Sequence, residues 1–154
     1  MAGIDFDTIA GTKLFISTGK PTVAEGTGAA AAFALLTWVE ITGLTSIGSV
    51  EGREYSMATL STVGDAQDRE KKGSFKLPAA EFELAWLPED AGQILAKTAS
   101  KNYTVPSFKL VDQDEDSVNY FTGQVSKLVR NGGTSNDALK GNLTILRQTD
   151  TVAD

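Results

Sequence analysis

The chain has 154 residues, with 14 Lys and Arg against 20 Asp and Glu, no cysteine and no histidine, for a net charge of −6. That length fits one domain with its own core, and the acidity disfavours a reader of nucleic acid or of anionic lipid. The missing residue types exclude disulfides, thiolate zinc sites, cysteine nucleophiles, Ser-His-Asp chemistry and nearly every transition-metal site.

The opening MAGIDFDTIAGTK carries Asp5 and Asp7 before its first basic residue, Lys13, which is unlike a secretory signal and points to a cytosolic product with an N-terminal arm over about residues 1–11. Thr12 to Thr18 reads as a short strand. Thr22 to Ala32, rich in Gly, Ala and Thr, is extended or loose, with a short helix over Ala29 to Leu36 as the competing reading. The apolar stretch from Gly28 to Val39 falls short of the ~20 residues that cross a bilayer. Thr37 to Thr42, Ser46 to Val50 and Glu54 to Val63 read as strands broken at Gly43, Gly48 and Gly52. A long polar loop, about residues 64–73, follows with Asp65, Asp68, Arg69, Glu70, Lys71 and Lys72, and nothing in it is cheap to bury.

Ala80 to Leu87 (AEFELAWL) has the clearest period of two, placing Phe82, Leu84 and Trp86 on one face and Glu81 and Glu83 on the other. PEDAGQILAKTAS then opens a helix, with Pro88 in its first turn and Glu89 and Asp90 complementing its positive end. Ala91, Ile94, Leu95 and Thr98 or Ala99 form its predicted apolar stripe, and Gly92 within it costs about 1 kcal/mol relative to alanine. Two further strands follow, the first placed at an edge because of Pro106, the second running from Val118 to Val129 with a bulge or close backbone approach at Gly123. NGGTSND from Asn131 to Asp137 is a turn, Leu139 to Gln148 a last strand, and about 149–154 a short polar tail. The predicted core comprises Trp38, Phe82, Leu84, Trp86, Ile94, Leu95, Phe121 and Val125.

No chemical constellation emerges. KLVDQDEDSVNY supplies Asp112, Asp114 and Asp116 at the first, third and fifth positions of a calcium loop, with Glu115 between them. The sixth position is Ser117 in place of glycine and the twelfth is Gly123 in place of glutamate, so the stretch reads as a solvated hairpin tip. Glu81 and Glu83 share a strand face, as paired acids of a glycosidase could, and equally as the ordinary polar face of a strand does. The glycine pairs lack a phosphate-loop context. Tyr103, Tyr120, Phe121, Trp38 and Trp86 have no interleaved basic patch and read as packing residues rather than platforms for single strands. A strand-rich chain of this kind must close its sheet, cover it, or pair it with another copy.

The order of features resembles a known family. LTWVEITGLTSIGSV (Leu36 to Val50) is followed by YSMATLSTVGDAQDREKKG (Tyr55 to Gly73), then FELAWLPEDAGQILAKT (Phe82 to Thr98), a hairpin whose second strand is YFTGQVSKL (Tyr120 to Leu128), and a closing GNLTILRQT. Over about Thr12 to Thr149 this resembles the tail tube protein, or major tail protein, of long-tailed, lambda-like bacteriophages.

The resemblance implies a mainly β fold, a β-sandwich or barrel with one flanking α-helix, similar also to the tube protein of type VI secretion. It implies a siphovirus structural protein, not an enzyme, without a cofactor. Hexameric rings would stack into a hollow tube around a tape-measure protein, meet tail terminator and tail-tip proteins, and conduct DNA without binding it. Assembly would take place in the host cytoplasm and the product would reside in the virion. Acidic walls suit such a conduit, because cationic walls would hold phosphates by releasing counterions. Glu51, Glu54, Asp65 and Asp68 are the candidate lumen acids, acting only within about 8 Å in physiological salt. Asp65, Asp68, Arg69, Glu70, Lys71 and Lys72 form a candidate inter-ring contact loop that orders on docking. Asp112, Asp114, Glu115 and Asp116 form a candidate acidic turn at the ring rim. The alternatives are a type VI secretion-like tube protein, a stand-alone β-barrel binding module and a carboxylate hydrolase.

Overall fold

A computed structural model describes residues 8–113 and 117–153. In chain order the elements are β1 (Lys13–Ser17), α1 (Ala29–Ala34), β2 (Val39–Ile41), β3 (Leu44–Ile47), β4 (Glu54–Leu60), β5 (Arg69–Lys76), β6 (Ala80–Ala85), α2 (Ala91–Ser100), β7 (Ser107–Val111), β8 (Val118–Arg130), β9 (Lys140–Arg147) and β10 (Val152–Ala153). The fold is mainly β. The principal sheet runs β2-β1-β7-β8-β9-β6-β3 with antiparallel neighbours, and β10 adds to β8. Its first and last strands, β2 and β3, are consecutive in sequence and joined only by Thr42 and Gly43. The sheet must therefore curl until its two ends meet, which gives a barrel-like sandwich.

The long strand β8 makes that curl possible. Its first half pairs with β7 and its second half with β9, and it changes partner at Gly123. A Cβ at Gly123 would lie 2.6 Å from Ile145 Cγ2 and 2.8 Å from the Leu146 carbonyl, so the glycine marks a close backbone approach. The bulge itself falls between Val125 and Lys127. Inward-facing Leu14, Ile16, Phe82, Leu84, Phe108, Phe121, Val125, Leu143 and Ile145 fill the interior, each under 5 % exposed. Full burial of a side chain of this size is worth roughly 1.5–3 kcal/mol.

The seam between β2 and β3 has no ladder among the described residues; α2 closes it. Asp90 caps the helix by accepting the Gln93 N–H at 3.0 Å, and the same carboxylate accepts the Thr42 N–H at 3.2 Å and the Thr42 hydroxyl at 2.7 Å. The buried Gln93 amide donates to the Thr42 carbonyl at 2.9 Å and the Ala85 carbonyl at 2.8 Å, and accepts the Leu87 N–H at 3.0 Å. One helix turn thus joins both ends of the sheet.

Several expectations are corrected. Ile94 is 48 % exposed and outside the core. Of the predicted stripe Ala91 is exposed too, while Ala99 is buried and Leu95 partly buried; the rest of the buried face is Gly92, Gln93 and Ala96, its small residues bringing the helix close. Trp38 and Trp86 are half-buried, and Trp86 lies over Gly141, where a Cβ would come within 2.7 Å of its ring. β7 is an interior strand between β1 and β8, because Pro106 precedes it and removes no ladder donor. The alanine run forms α1, whose Phe33 stacks on Tyr120 with centroids 5.2 Å apart. The stretch from Arg69 to Gly73 is strand, not loop. Its apolar period is missing because neither of its faces is buried.

Gly92 lets α2 approach closely, since a Cβ there would sit 2.2 Å from the Glu40 carbonyl oxygen. Gly92→Ala should therefore destabilise the protein, by about 1–3 kcal/mol of overpacking against about 1 kcal/mol of helix propensity gained. The urea midpoint should fall at unchanged m-value; a raised midpoint would contradict this packing.

Candidate assembly surfaces

Among the described residues β4 and β5 pair only with each other, and all of their residues are exposed. Tyr55 faces Phe75 across the ladder and Met57 faces Lys72. One face of the ribbon is therefore Tyr55, Met57, Thr59, Phe75, Lys72 and Glu70. On it the Tyr55 and Phe75 rings lie 5.6 Å apart, the Lys72 ammonium sits 4.7 Å from the Tyr55 centroid and the Arg53 guanidinium 4.5 Å from that of Phe75. The opposite face carries Glu54 and Lys76, 3.6 Å apart, with Ala58, Leu60, Lys71 and Arg69. Met57 is 70 % exposed, Leu60 61 %, and Val63 in the turn is fully exposed.

The feet of the ribbon are fixed. Leu143, Ile145 and Arg147 share the inward phase of β9, and Arg147 is only 5 % exposed. Its guanidinium donates to the Pro78 carbonyl at 2.9 Å, the Gly52 carbonyl at 2.6 Å and the Thr151 hydroxyl at 3.1 Å. Gly52 precedes β4 and Pro78 follows β5, so one side chain holds both legs. Burial lowers the Arg147 pKa, opposed by the charges of Asp150 and Glu51. Arg53 adds an ion pair with Asp150 at 2.7 Å, and the Asp150 N–H donates to Glu25 at 2.8 Å. Burial would raise the Asp150 carboxyl, but the Arg53 hydrogen bond, the Thr151 N–H and the two guanidinium charges together hold it below its usual range.

The predicted site residues divide along this ribbon. Glu51 and Glu54 stand at its foot, Asp65 and Asp68 in the turn at its far end, about 20 Å away by the rise of a seven-residue strand. Asp65 pairs with Arg69 at 3.0 Å and accepts the Gln67 N–H at 3.1 Å, while Asp68 accepts the Ser61 hydroxyl. Arg69, Glu70, Lys71 and Lys72 alternate along β5 and so point to both faces. At the β7–β8 hairpin, Asp112 donates its N–H to the Ser117 carbonyl at 3.0 Å; Asp114, Glu115 and Asp116 lie outside the described residues. Glu83 pairs with Lys140 at 3.4 Å on the polar face of β6. Sequence reasoning missed Arg147, Arg53 with Asp150, and the Asp90–Gln93–Thr42 seam. Arg147 left a signal, as a charge at the apolar phase of LTILRQ, and Asp90 left one as an acid at the helix start, without its bonds to Thr42.

Chains of known structure share this arrangement at very low sequence identity. A component of the anti-feeding prophage baseplate matches with a TM-score of 0.61 at 6 % identity, covering 100 % of this chain and 96 % of its own. A chain of the PVC sheath/tube terminator, from an extracellular contractile injection system in its extended state, matches with a TM-score of 0.65 at 8 % identity, over 99 % of both chains. A chain of the PVC sheath-tube complex matches with a TM-score of 0.58 at 9 % identity, over 96 % and 90 %. No family model and no curated protein sequence matches the chain. The fold is thus the one found in these injection-particle components.

Arg147→Met should leave the Gly52 and Pro78 carbonyls without their donor and cost about 2 kcal/mol or more. Limited proteolysis should then cut between residues 50 and 78 faster than elsewhere. Unchanged cleavage there would show that the ribbon does not depend on this side chain.

Proposed function

We propose that the chain is a tube-forming structural subunit with no catalytic role, its copies joining into hexameric rings that stack into a hollow cylinder. The observation that carries this reading is the β4–β5 ribbon. A lone two-stranded hairpin is marginal in water, and this one exposes Tyr55, Met57, Leu60, Val63 and Phe75 while its feet are rigidly held. Such a ribbon makes sense when another copy covers it. The fold shared with injection-particle components supports the tube role. The order of LTWVEITG, FELAWLPEDAG and YFTGQVS supports the tail tube protein of a lambda-like siphovirus in particular, with tape-measure, tail terminator and tail-tip proteins as partners and DNA passing through during ejection.

Glu51 and Glu54, at the ribbon's foot, are the lumen acids of this reading, which keep the wall from holding phosphates. Asp65 and Asp68 belong with the contact between copies, and the turn at Asp112–Asp116 with the ring rim. Assembly takes place in the host cytoplasm and the product resides in the virion. The solved structures favour one second reading, a tube or terminator component of a contractile particle. A stand-alone ligand-binding barrel fits less well, because large side chains fill the interior.

Electron microscopy of the purified chain, with and without the tape-measure protein of the same genome, tests the reading. Rings with a central hole, or tubes, are expected from the full chain. A variant with residues 56–73 replaced by Asn-Gly should fold and stay monomeric. Normal tubes from that variant, or a full chain that stays monomeric even with tape-measure protein, would overturn the proposal.

A further inference from the structure

A groove of about 310 Å³ opens at the C-terminal end of β6, between that strand, α2 and β8. Its lining combines Trp86, Leu87, Ile94 and Leu128 with Lys97 and Lys101. Ile94 is 48 % exposed and Leu87 40 %, so the apolar floor lies open. Among the described residues neither lysine pairs with a carboxylate, and the Lys97 ammonium rests 5.9 Å from the Trp86 centroid. An apolar trough with two unpaired cations fits a segment bearing aliphatic side chains and carboxylates together.

The chain itself has such a segment. At the tip of the ribbon Leu60 and Val63 are exposed, and Asp65 and Asp68 stand beside them. Among the described residues their carboxylates are engaged by Arg69 at the start of β5, the Gln67 N–H and the Ser61 hydroxyl. The ribbon prolongs the β3–β6 hairpin away from its own groove, with Ile47 paired to Phe82 and, farther along the same two segments, Glu54 paired to Lys76. The ribbon's last foot, Pro78, lies two residues before β6, and the groove begins at Trp86, just past its other end, about 20 Å along the strand. Donor and acceptor at opposite ends of one strand form a head-to-tail contact, which repeats from copy to copy instead of closing a symmetric pair.

We propose that the β4–β5 tip of one copy docks in the Trp86–Ile94–Leu128 groove of the next copy. Leu60 and Val63 cover the apolar floor, and Asp65 and Asp68 face Lys97 and Lys101. The proposal rests on the tube reading and names the surface that receives the ribbon. It makes the contact sensitive to salt, because its charges lie at a wet rim.

The chain has no cysteine, so Val63→Cys and Ile94→Cys can be made in separate proteins, mixed and oxidised. A disulfide-linked pair is expected from that mixture, and little from Val63→Cys mixed with Ser46→Cys. The double variant Val63→Cys/Ile94→Cys should give a ladder of linked copies. Lys97→Glu/Lys101→Glu should lose assembly at an unchanged thermal midpoint, and mixing it with Asp65→Lys/Asp68→Lys should restore the contact. Rings or tubes visible by microscopy with no 63–94 link, or normal assembly of the charge-reversed groove, would overturn the groove and leave the tube reading standing. A ladder of linked copies without a hollow tube would uphold the groove and count against the tube. Neither link nor assembly at the highest soluble concentration would remove both.

Discussion

A two-stranded ribbon with water on both faces has little to hold it beyond its own ladder, and most such hairpins are marginal in isolation. In this chain that ribbon is also where the exposed apolar side chains Tyr55, Met57, Leu60, Val63 and Phe75 are gathered. Local aromatic and cation contacts hold its proximal half: Tyr55 with Phe75, Arg53 over one ring and Lys72 over the other. Such contacts contribute about 0.5–1.5 kcal/mol each, enough to set a shape and too little to satisfy the open faces. The proposed pairing with a second copy rests on that shortfall.

The rest of the molecule gives the ribbon a rigid base. The barrel-like sheet closes through one helix turn, where Asp90 and Gln93 meet Thr42, between the two end strands β2 and β3, and Ala85 on β6, the neighbour of β3. Gly92 permits that approach by leaving room for the Glu40 carbonyl. At the opposite end of β6, Arg147 reaches out of the core to hold Gly52 and Pro78, the two points where the ribbon leaves the sheet. A buried arginine engaged by two carbonyls and a hydroxyl is a costly way to gain stability and an effective way to fix a geometry. The ribbon is therefore aimed by the core, even though none of its own residues enters it.

Where one face of an element is buried, the sequence was readable. The alternation in AEFELAWL located β6, and Phe82, Leu84, Phe121 and Val125 lie inside. Where both faces are wet, the period vanishes, so Arg69 to Gly73 reads as loop although it is part of a strand of eight residues. The helix was visible, but its buried face was misplaced. Ile94 centres the stripe on a large residue that stays exposed, whereas close packing adds Gly92 and Ala96 to the expected Ala99. Pro106 suggests an edge strand, but it precedes β7 and leaves the ladder of that strand intact. The seam could not be read at all, because Asp90, Gln93 and Thr42 are brought together by curvature of the whole sheet and lie up to 51 positions apart. The block FELAWLPEDAG, which carried the family resemblance, encloses one half of that seam, so the pattern that was recognisable is also the junction that closes the fold.

The account as a whole rests on the ribbon being unfinished in a single copy and completed by its neighbour. Amide hydrogen exchange along Glu54–Leu60 and Arg69–Lys76, compared between dilute monomer and assembled protein, addresses this most directly. The account predicts fast exchange of these amides in the monomer, beside slow exchange in β8 and β9, and strong protection of the same amides after assembly. Equal protection in both states, or fast exchange that persists in the assembled form, would contradict it.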